Sequence, residues 1–160
     1  KGVALKRGFS VAKGDIVVTM DADGSHQPEE IPMLISPIIN DGVDAVIGVR
    51  QYEKNPGLSL THNMGNRIFN VLFRLLLGSS FSDSQSGFRS FRKATLEKLD
   101  LKAKRYDIES EMLVKLIKKG YKVVERKITC KKRMYGSTRI SVFRDGFTIL
   151  AQILRAYIAT

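Results

Sequence analysis

The sequence has 160 residues, 43% hydrophobic and 27% charged, with a net charge of +11 and a single cysteine. This is enough chain for one domain with a real core and too little for two ordinary ones. Cys130 alone excludes an internal disulfide and a cysteine-rich zinc site, and no apolar run approaches the ~18–20 residues that span a bilayer.

The charge is unevenly placed. Residues 1–100 hold 12 Lys and Arg against 11 Asp and Glu, whereas residues 101–160 hold 15 against 5. Basic charge confined to one end points to an anionic ligand or surface: nucleic acid, acidic lipid headgroups or a phosphorylated small molecule. From a first residue of Lys and the lack of a signal-peptide pattern we expect a piece of a longer chain, or one processed at its front.

In chain order, Val3, Leu5, Phe9 and Ala12 recur at helical spacing over residues 1–13, with Gly14 as the stop. Ile16–Met20 reads as a short buried strand. Residues 28–40 predict a helix, with Pro28 in the first turn, Glu29 and Glu30 at its positive end, and Pro37 bending or shortening it. "VDAVIGV" at 43–49 is a second buried strand, ending at Arg50. Helix, strand, helix, strand predicts an α/β unit with a parallel sheet.

Residues 53–59 are a loop, and residues 60–77 a longer helix carrying one polar stripe of Asn63, Arg67, Asn70 and Arg74. That stripe fits either a solvated face or two arginines and two amides presented to an anion. A turn cluster follows, then a short strand around Phe88–Phe91 and a short helix. Residues 106–119 are helical, "YKVVERKIT" is a strand, and "CKKRMYGSTRIS" reads as a mobile basic loop. From 141 to 158, Phe143, Phe147, Leu150, Leu154 and Tyr157 share one helical face, with Arg144 and Arg155 elsewhere.

The chemistry concentrates where "DIVVTMDADGSHQPEEI" leaves its strand. Ligands of open α/β sheets bind beyond the carboxyl ends of the strands, which is where Asp21 and Asp23 fall. Two carboxylates one residue apart on a turn can address one hard cation, which keeps several waters and takes further ligands from a diphosphate. "DAD" alone is a weak signal; the arginines downstream, able to meet phosphates, strengthen it.

"GDIVVTMDADGSHQPEEIP", "AVIGVR", "DSQSGFRSF", "ESEML" and "RMYGSTRIS", in that order, resemble the family-2 glycosyltransferases over nearly the whole chain. Within that family the likeness is to the dolichyl-phosphate (polyprenyl-phosphate) mannosyltransferases. The resemblance implies a glycosyltransferase-A fold, a three-layer α/β/α arrangement with a mixed, mostly parallel sheet. It implies that residues 1–140 form part of the catalytic domain, without the N-terminal base- and ribose-binding strands. Residues 141–160 are then an interfacial helix, a helix packed on the sheet, or a lead into membrane segments.

The implied reaction is an inverting transfer of a hexose from a nucleotide sugar to polyprenyl or dolichyl phosphate, with Mg²⁺ or Mn²⁺. Mannose from GDP-mannose is the first expectation and glucose from UDP-glucose the second. Asp21 and Ala22 lie against the nucleotide and Asp23 ligates the metal; Ser25 stands where relatives often carry Gln, as a weaker ligand. Arg133 and Arg139 clamp the departing diphosphate, in the bidentate manner guanidinium allows. Arg50 and Arg67 hold the acceptor phosphate, though Arg67 also fits a plain surface arginine. Asp83, Ser86 and Gly87 border the sugar. Glu111 hydrogen-bonds the sugar or orients an arginine, or is a helix-surface glutamate. The acceptor's lipid tail implies attachment to a membrane surface, on its cytoplasmic face.

His26 and His62 have no partner at ligand spacing and are not expected to bind metal. Two other classes compete: a nucleic-acid-binding module and a membrane-surface protein without chemistry. The first lacks a recognition motif, and neither explains the strand-end acids, so no nucleic-acid partner is expected.

Overall fold

The computed structural model describes residues 1–52, 60–135 and 142–159, with side chains at 1–51, 67–135 and 146–158. Its elements are α1 (Gly2–Val11), β1 (Ile16–Thr19), a 3₁₀ turn (Pro28–Glu30) running into α2 (Ile31–Asn40), β2 (Ala45–Tyr52), α3 (Leu60–Leu77), β3 (Arg89–Arg92), α4 (Lys93–Glu97), α5 (Ile108–Lys118), β4 (Val123–Cys130) and α6 (Val142–Ala159). Every predicted helix and strand is present, while the expected loop at 53–59 and the end of the basic loop, residues 136–141, lie outside the described residues. Helix α2 continues one turn past Pro37, and β2 runs beyond Arg50 to Tyr52 because β4 pairs with it along its whole length.

The sheet order is β1-β3-β2-β4. Strands β2 and β4 are parallel, but β3 lies antiparallel between β1 and β2, with Thr19 opposite Arg89 and Ala45 opposite Phe91. The expected parallel neighbours β1 and β2 are therefore separated by a reversed strand, and the sheet is mixed. This reversal matters for the site. The three co-directional strands end at one edge, and β3 starts there, so the segment leading into β3 joins the turns that follow β1 and β4.

Alternating strand residues feed two faces. On one, Leu34 and Ile38 of α2 pack with Val43, Val46, Phe88 and Ile128. On the other, Ala45 and Phe91 pack against α4 and α5, and Ile47 meets Phe73 of α3, Leu113 of α5 and Ile149 and Ile153 of α6. The result is three layers, helix on sheet on helix.

Helix α6 is docked through Ile149, Ile153 and Ala156. The apolar face expected from spacing divides: Leu150 and Tyr157 are half-buried, while Phe147 is 73% exposed and Leu154 is also open. On α3, Phe73 is buried but Ile68, Val71 and Leu75 face outward. Both helices thus carry an inward apolar face and an outward one.

Candidate functional site

The turn after β1 is built by its own side chains. Asp23 Oδ1 accepts from Ser25 N at 3.0 Å and Ser25 Oγ at 2.6 Å. Asp21 N donates to Nδ1 of buried His26 at 3.2 Å, and His26 stacks on Phe88 with ring centroids 5.0 Å apart. An Nδ1 that accepts belongs to a neutral imidazole. Burial pushes the His26 pKa down, helped by Arg50 and Lys1 against the pull of Asp21 and Asp23. His26 therefore shapes the turn, and Nδ1 is already taken.

Four further segments close on this turn. Lys1, ahead of α1, reaches Asp21 Oδ1 at 2.8 Å and Glu109 Oε1 at 2.7 Å. Burial works to lower the Lys1 pKa, but Glu109 and Asp21 outweigh it and hold it above its usual value. Arg50, on β2, donates Nε to Asp83 Oδ2 at 2.6 Å and Nη2 to Oδ1 at 2.8 Å, a bidentate pair with a buried carboxylate. Arg133 Nε stands 2.7 Å from Asp23 Oδ2. Burial acts to raise the Asp23 pKa; the Ser25 hydrogen bonds and Arg133 prevail and keep it below the usual carboxylate range.

The segment before β3 is fastened from beneath by Arg89, which is fully buried. Its guanidinium donates to the carbonyls of Ser86 (2.7 Å), Ser84 (2.6 Å) and Glu109 (2.9 Å). Asn70 of α3 holds the same segment, donating to Ser82 O at 2.9 Å and accepting from Ser84 N at 3.2 Å. Thr19 Oγ1 donates to Gly87 O at 2.8 Å.

Asp21, Ala22, Asp23, Ser25, Arg50, Asp83, Ser86, Gly87 and Arg133 thus share one edge of the sheet. Arg67 is exposed on α3, one turn before Asn70. Arg139 lies outside the described residues, as do the side chains of His62, Asn63, Phe143 and Arg144.

Glu111 is not at this edge. Its carboxylate accepts from Lys102 N and Ala103 N at 2.7–3.0 Å and pairs with Lys115 at 2.8 Å, so it anchors the loop before α5. Glu109, two residues earlier and so on the other side of the helix, reaches the site instead. Apart from Lys1, its buried carboxylate has no hydrogen-bond partner among the described residues. Sequence reasoning missed Lys1, Arg89 and Glu109. The last two lie inside "SGFRSF" and "ESEML", where only helix phase and burial tell a site residue from its neighbour.

Among the described residues no three His, Cys, Asp or Glu converge to hold a metal by themselves. The donors present are hard oxygens, the Asp23 carboxylate and Ser25 hydroxyl, with Asp21 beside them, and Asp23 Oδ2 already faces a cation. Such a set fits an ion like Mg²⁺, which is held by one or two carboxylates and completes its shell with phosphate oxygens and water.

Comparison with known proteins identifies the family and the fold. A family model described as "Glycosyl transferase family 2" matches residues 1–100. The UDP-N-acetylglucosamine–dolichyl-phosphate N-acetylglucosaminyltransferase of Methanococcus voltae is 38% identical over 156 residues, 94% of this chain and 61% of its own length. The polyprenol monophosphomannose synthase of Mycolicibacterium smegmatis is 36% identical over 145 residues, 86% of this chain and 51% of its own. The chain thus spans between half and two-thirds of the length of these relatives. Among solved structures, glucosyl-3-phosphoglycerate synthase from Mycobacterium tuberculosis in complex with Mn²⁺, UDP-glucose and phosphoglyceric acid superposes at a TM-score of 0.76. That match has 20% identity and covers 98% of this chain and 54% of that one. The likeness is one of fold, the glycosyltransferase-A architecture.

Proposed function

Since the chain belongs to glycosyltransferase family 2, we propose that it transfers a hexose from a nucleotide sugar to the phosphate of a polyprenol, with inversion and with a divalent cation at Asp23. The observation that carries this reading is the meeting of a hard-oxygen turn, Asp21 to Ser25, with guanidiniums from separate segments, Arg50 and Arg133, on one sheet edge.

Asp21 and Ala22 lie along the nucleotide diphosphate, and Asp23 with Ser25 holds the cation. A divalent ion bound there supplies Lewis-acid stabilisation of the leaving diphosphate. Arg133, with Arg139, binds the diphosphate oxygens as they gain charge. An oxygen of the lipid phosphate forms the new bond to the anomeric carbon while the bond from that carbon to the diphosphate breaks, the diphosphate leaving with the electron pair. The attacking phosphate is already an anion near neutral pH, so the chain's task is to position it rather than to remove a proton. Arg50, fixed by Asp83, and Arg67 do so. Asp83, Ser86 and Gly87 form the border of the sugar site.

The acceptor's tail stays in a bilayer, and the outward faces of α3 and α6 suit that surface. Ile68, Val71 and Leu75 with Phe147, Leu154 and Ile158 are exposed, and Arg67, Arg74 and Arg155 are exposed on the same two helices. Amphipathic helices of this composition lie in the headgroup plane with basic residues near lipid phosphates. No helix of the described residues is long and apolar enough to cross a membrane. We place the site at the cytoplasmic face of the membrane.

We take GDP-mannose as the donor, supported by the mannose synthase among the relatives, with UDP-glucose as its competitor. The test supplies full-length protein with polyprenyl phosphate and labelled GDP-mannose, UDP-glucose or UDP-N-acetylglucosamine. An EDTA-sensitive, lipid-extractable product from GDP-mannose is expected. A product from a UDP-sugar only would change the donor; none from any of the three would end the proposal.

A further inference from the structure

Both oxygens of the Asp23 carboxylate are engaged. Oδ1 takes two hydrogen bonds from Ser25, and Oδ2 is held by Arg133 at 2.7 Å. Arg133 does not arrive alone. Asp23 O accepts from Met134 N at 2.9 Å and Tyr135 N at 3.2 Å, and Ser25 O accepts from Lys131 N at 2.9 Å. The Met134 side chain packs over Gly24, whose φ of +81° disfavours a side chain and where a Cβ would stand a tight 3.1 Å from Met134. Residues 131–135 therefore clamp the acidic turn by backbone bonds, and one side-chain ion pair lies where a cation bound to Asp23 must sit.

We propose that Arg133 is the stand-in cation of the nucleotide-free site, and that it and the divalent metal bind Asp23 Oδ2 in competition. The proposal rests on the metal–diphosphate reading given above. A guanidinium at 2.7 Å and a divalent ion on the same oxygen bring like charges within a few ångströms, where their repulsion is strong in a partly buried setting. One of them has to leave, and the backbone clamp does not depend on Arg133 staying.

A displaced Arg133 gains a new partner when a nucleoside diphosphate is bound, because its phosphate oxygens accept the guanidinium as well as the carboxylate did. Metal alone must expel Arg133 into solvent. Metal with a nucleoside diphosphate passes Arg133 from one anion to another. The ion pair thus biases the site against bare metal and toward the metal–nucleotide complex.

The experiment measures Mn²⁺ binding by electron paramagnetic resonance on the full-length enzyme, with and without GDP or UDP. It uses wild type, Arg133→Met and Arg133→Lys. Arg133→Met should bind Mn²⁺ alone about two- to fivefold more tightly than wild type, the scale of one partly exposed ion pair. The same variant should bind Mn²⁺ with nucleoside diphosphate more weakly than wild type. Arg133→Lys, which keeps the charge, should stay close to wild type in both. Equal or weaker binding of Mn²⁺ alone by Arg133→Met overturns the competition while leaving the metal–diphosphate reading in place. A wild type that binds no Mn²⁺ even with GDP and UDP overturns both.

Discussion

Gly87 and Asp21 come so close that a Cβ on Gly87 would stand 2.8 Å from Asp21 Oδ2, and equally close to Lys1 Nζ. The glycine is required by what lies across from it, since only a bare Cα lets the segment before β3 rest against the Asp21–Lys1 pair. Gly87→Ala should push these two side chains aside, not the backbone. The expected outcome is a folded protein, destabilised by about 1 kcal/mol, with KM for the nucleotide sugar raised at least tenfold. Thermal unfolding and steady-state kinetics on the full-length enzyme check it.

Asp23→Asn keeps the shape of the turn but removes the charge that faces Arg133 and, in the proposed reaction, the cation. The ion pair is partly solvent-exposed, so its loss should cost no more than about 1 kcal/mol of stability. Transfer should fall below detection, and EDTA should abolish wild-type transfer in the same assay. Activity that survives EDTA would remove the metal from the mechanism.

Arg50 and Arg67 should separate in stability although both are assigned to the acceptor. Asp83 is buried, and Arg50→Ala strips it of its bidentate partner. This should destabilise by about 2 kcal/mol, less than for a fully buried pair because the Arg50 side chain is one-quarter exposed. Arg67→Ala, at an exposed position, should leave unfolding unchanged. Both should raise KM for lipid phosphate more than KM for donor, and Arg139→Ala should instead lower kcat. An equal donor-binding defect in all three would refute this division.

The Asp21–His26 bond predicts a pH dependence. The folded pKa of His26 lies below the ordinary value of 6.5, so the unfolded chain takes up the proton first. The contribution of the bond is fully present above the unfolded pKa and is lost as pH falls through the lower folded one. The unfolding midpoint should therefore decline below about pH 6.5, and His26→Gln, which retains an acceptor but does not titrate, should lessen that decline. Asp23, held below the carboxylate range, loses its share only in more acidic solution.

The two outward helix faces can be tested against a buried control. Leu75→Glu and Phe147→Glu alter residues 76% and 73% exposed, so the full-length protein should remain folded but release anionic vesicles. It should also lose activity on long-chain acceptors more than on short soluble ones. Ile153→Glu, at a fully buried position, should unfold it. Equal loss on both acceptors by the exposed variants would show that these faces serve the fold rather than the membrane.

Most of the chain's organisation was legible in the sequence, because it is written in local terms. Apolar spacing, proline and glycine punctuation and strand alternation marked the helices and strands, and "DADGS" announced itself as an acidic turn at a strand's end. What the tertiary structure decided depends on direction and phase. No local pattern says that β3 enters antiparallel between β1 and β2, yet that reversal brings Asp83 to Gly87 onto the same edge as the acids. Two glutamates two residues apart on α5 read alike, but helix phase turns Glu109 to the site and leaves Glu111 to anchor a loop. Arg89 looks like any surface arginine until burial obliges its guanidinium to find three carbonyls. On α6, spacing found an apolar face, but an apolar helix has more than one. The core took Ile149, Ile153 and Ala156, the residues that fit between α3 and α5, and left Phe147 outside.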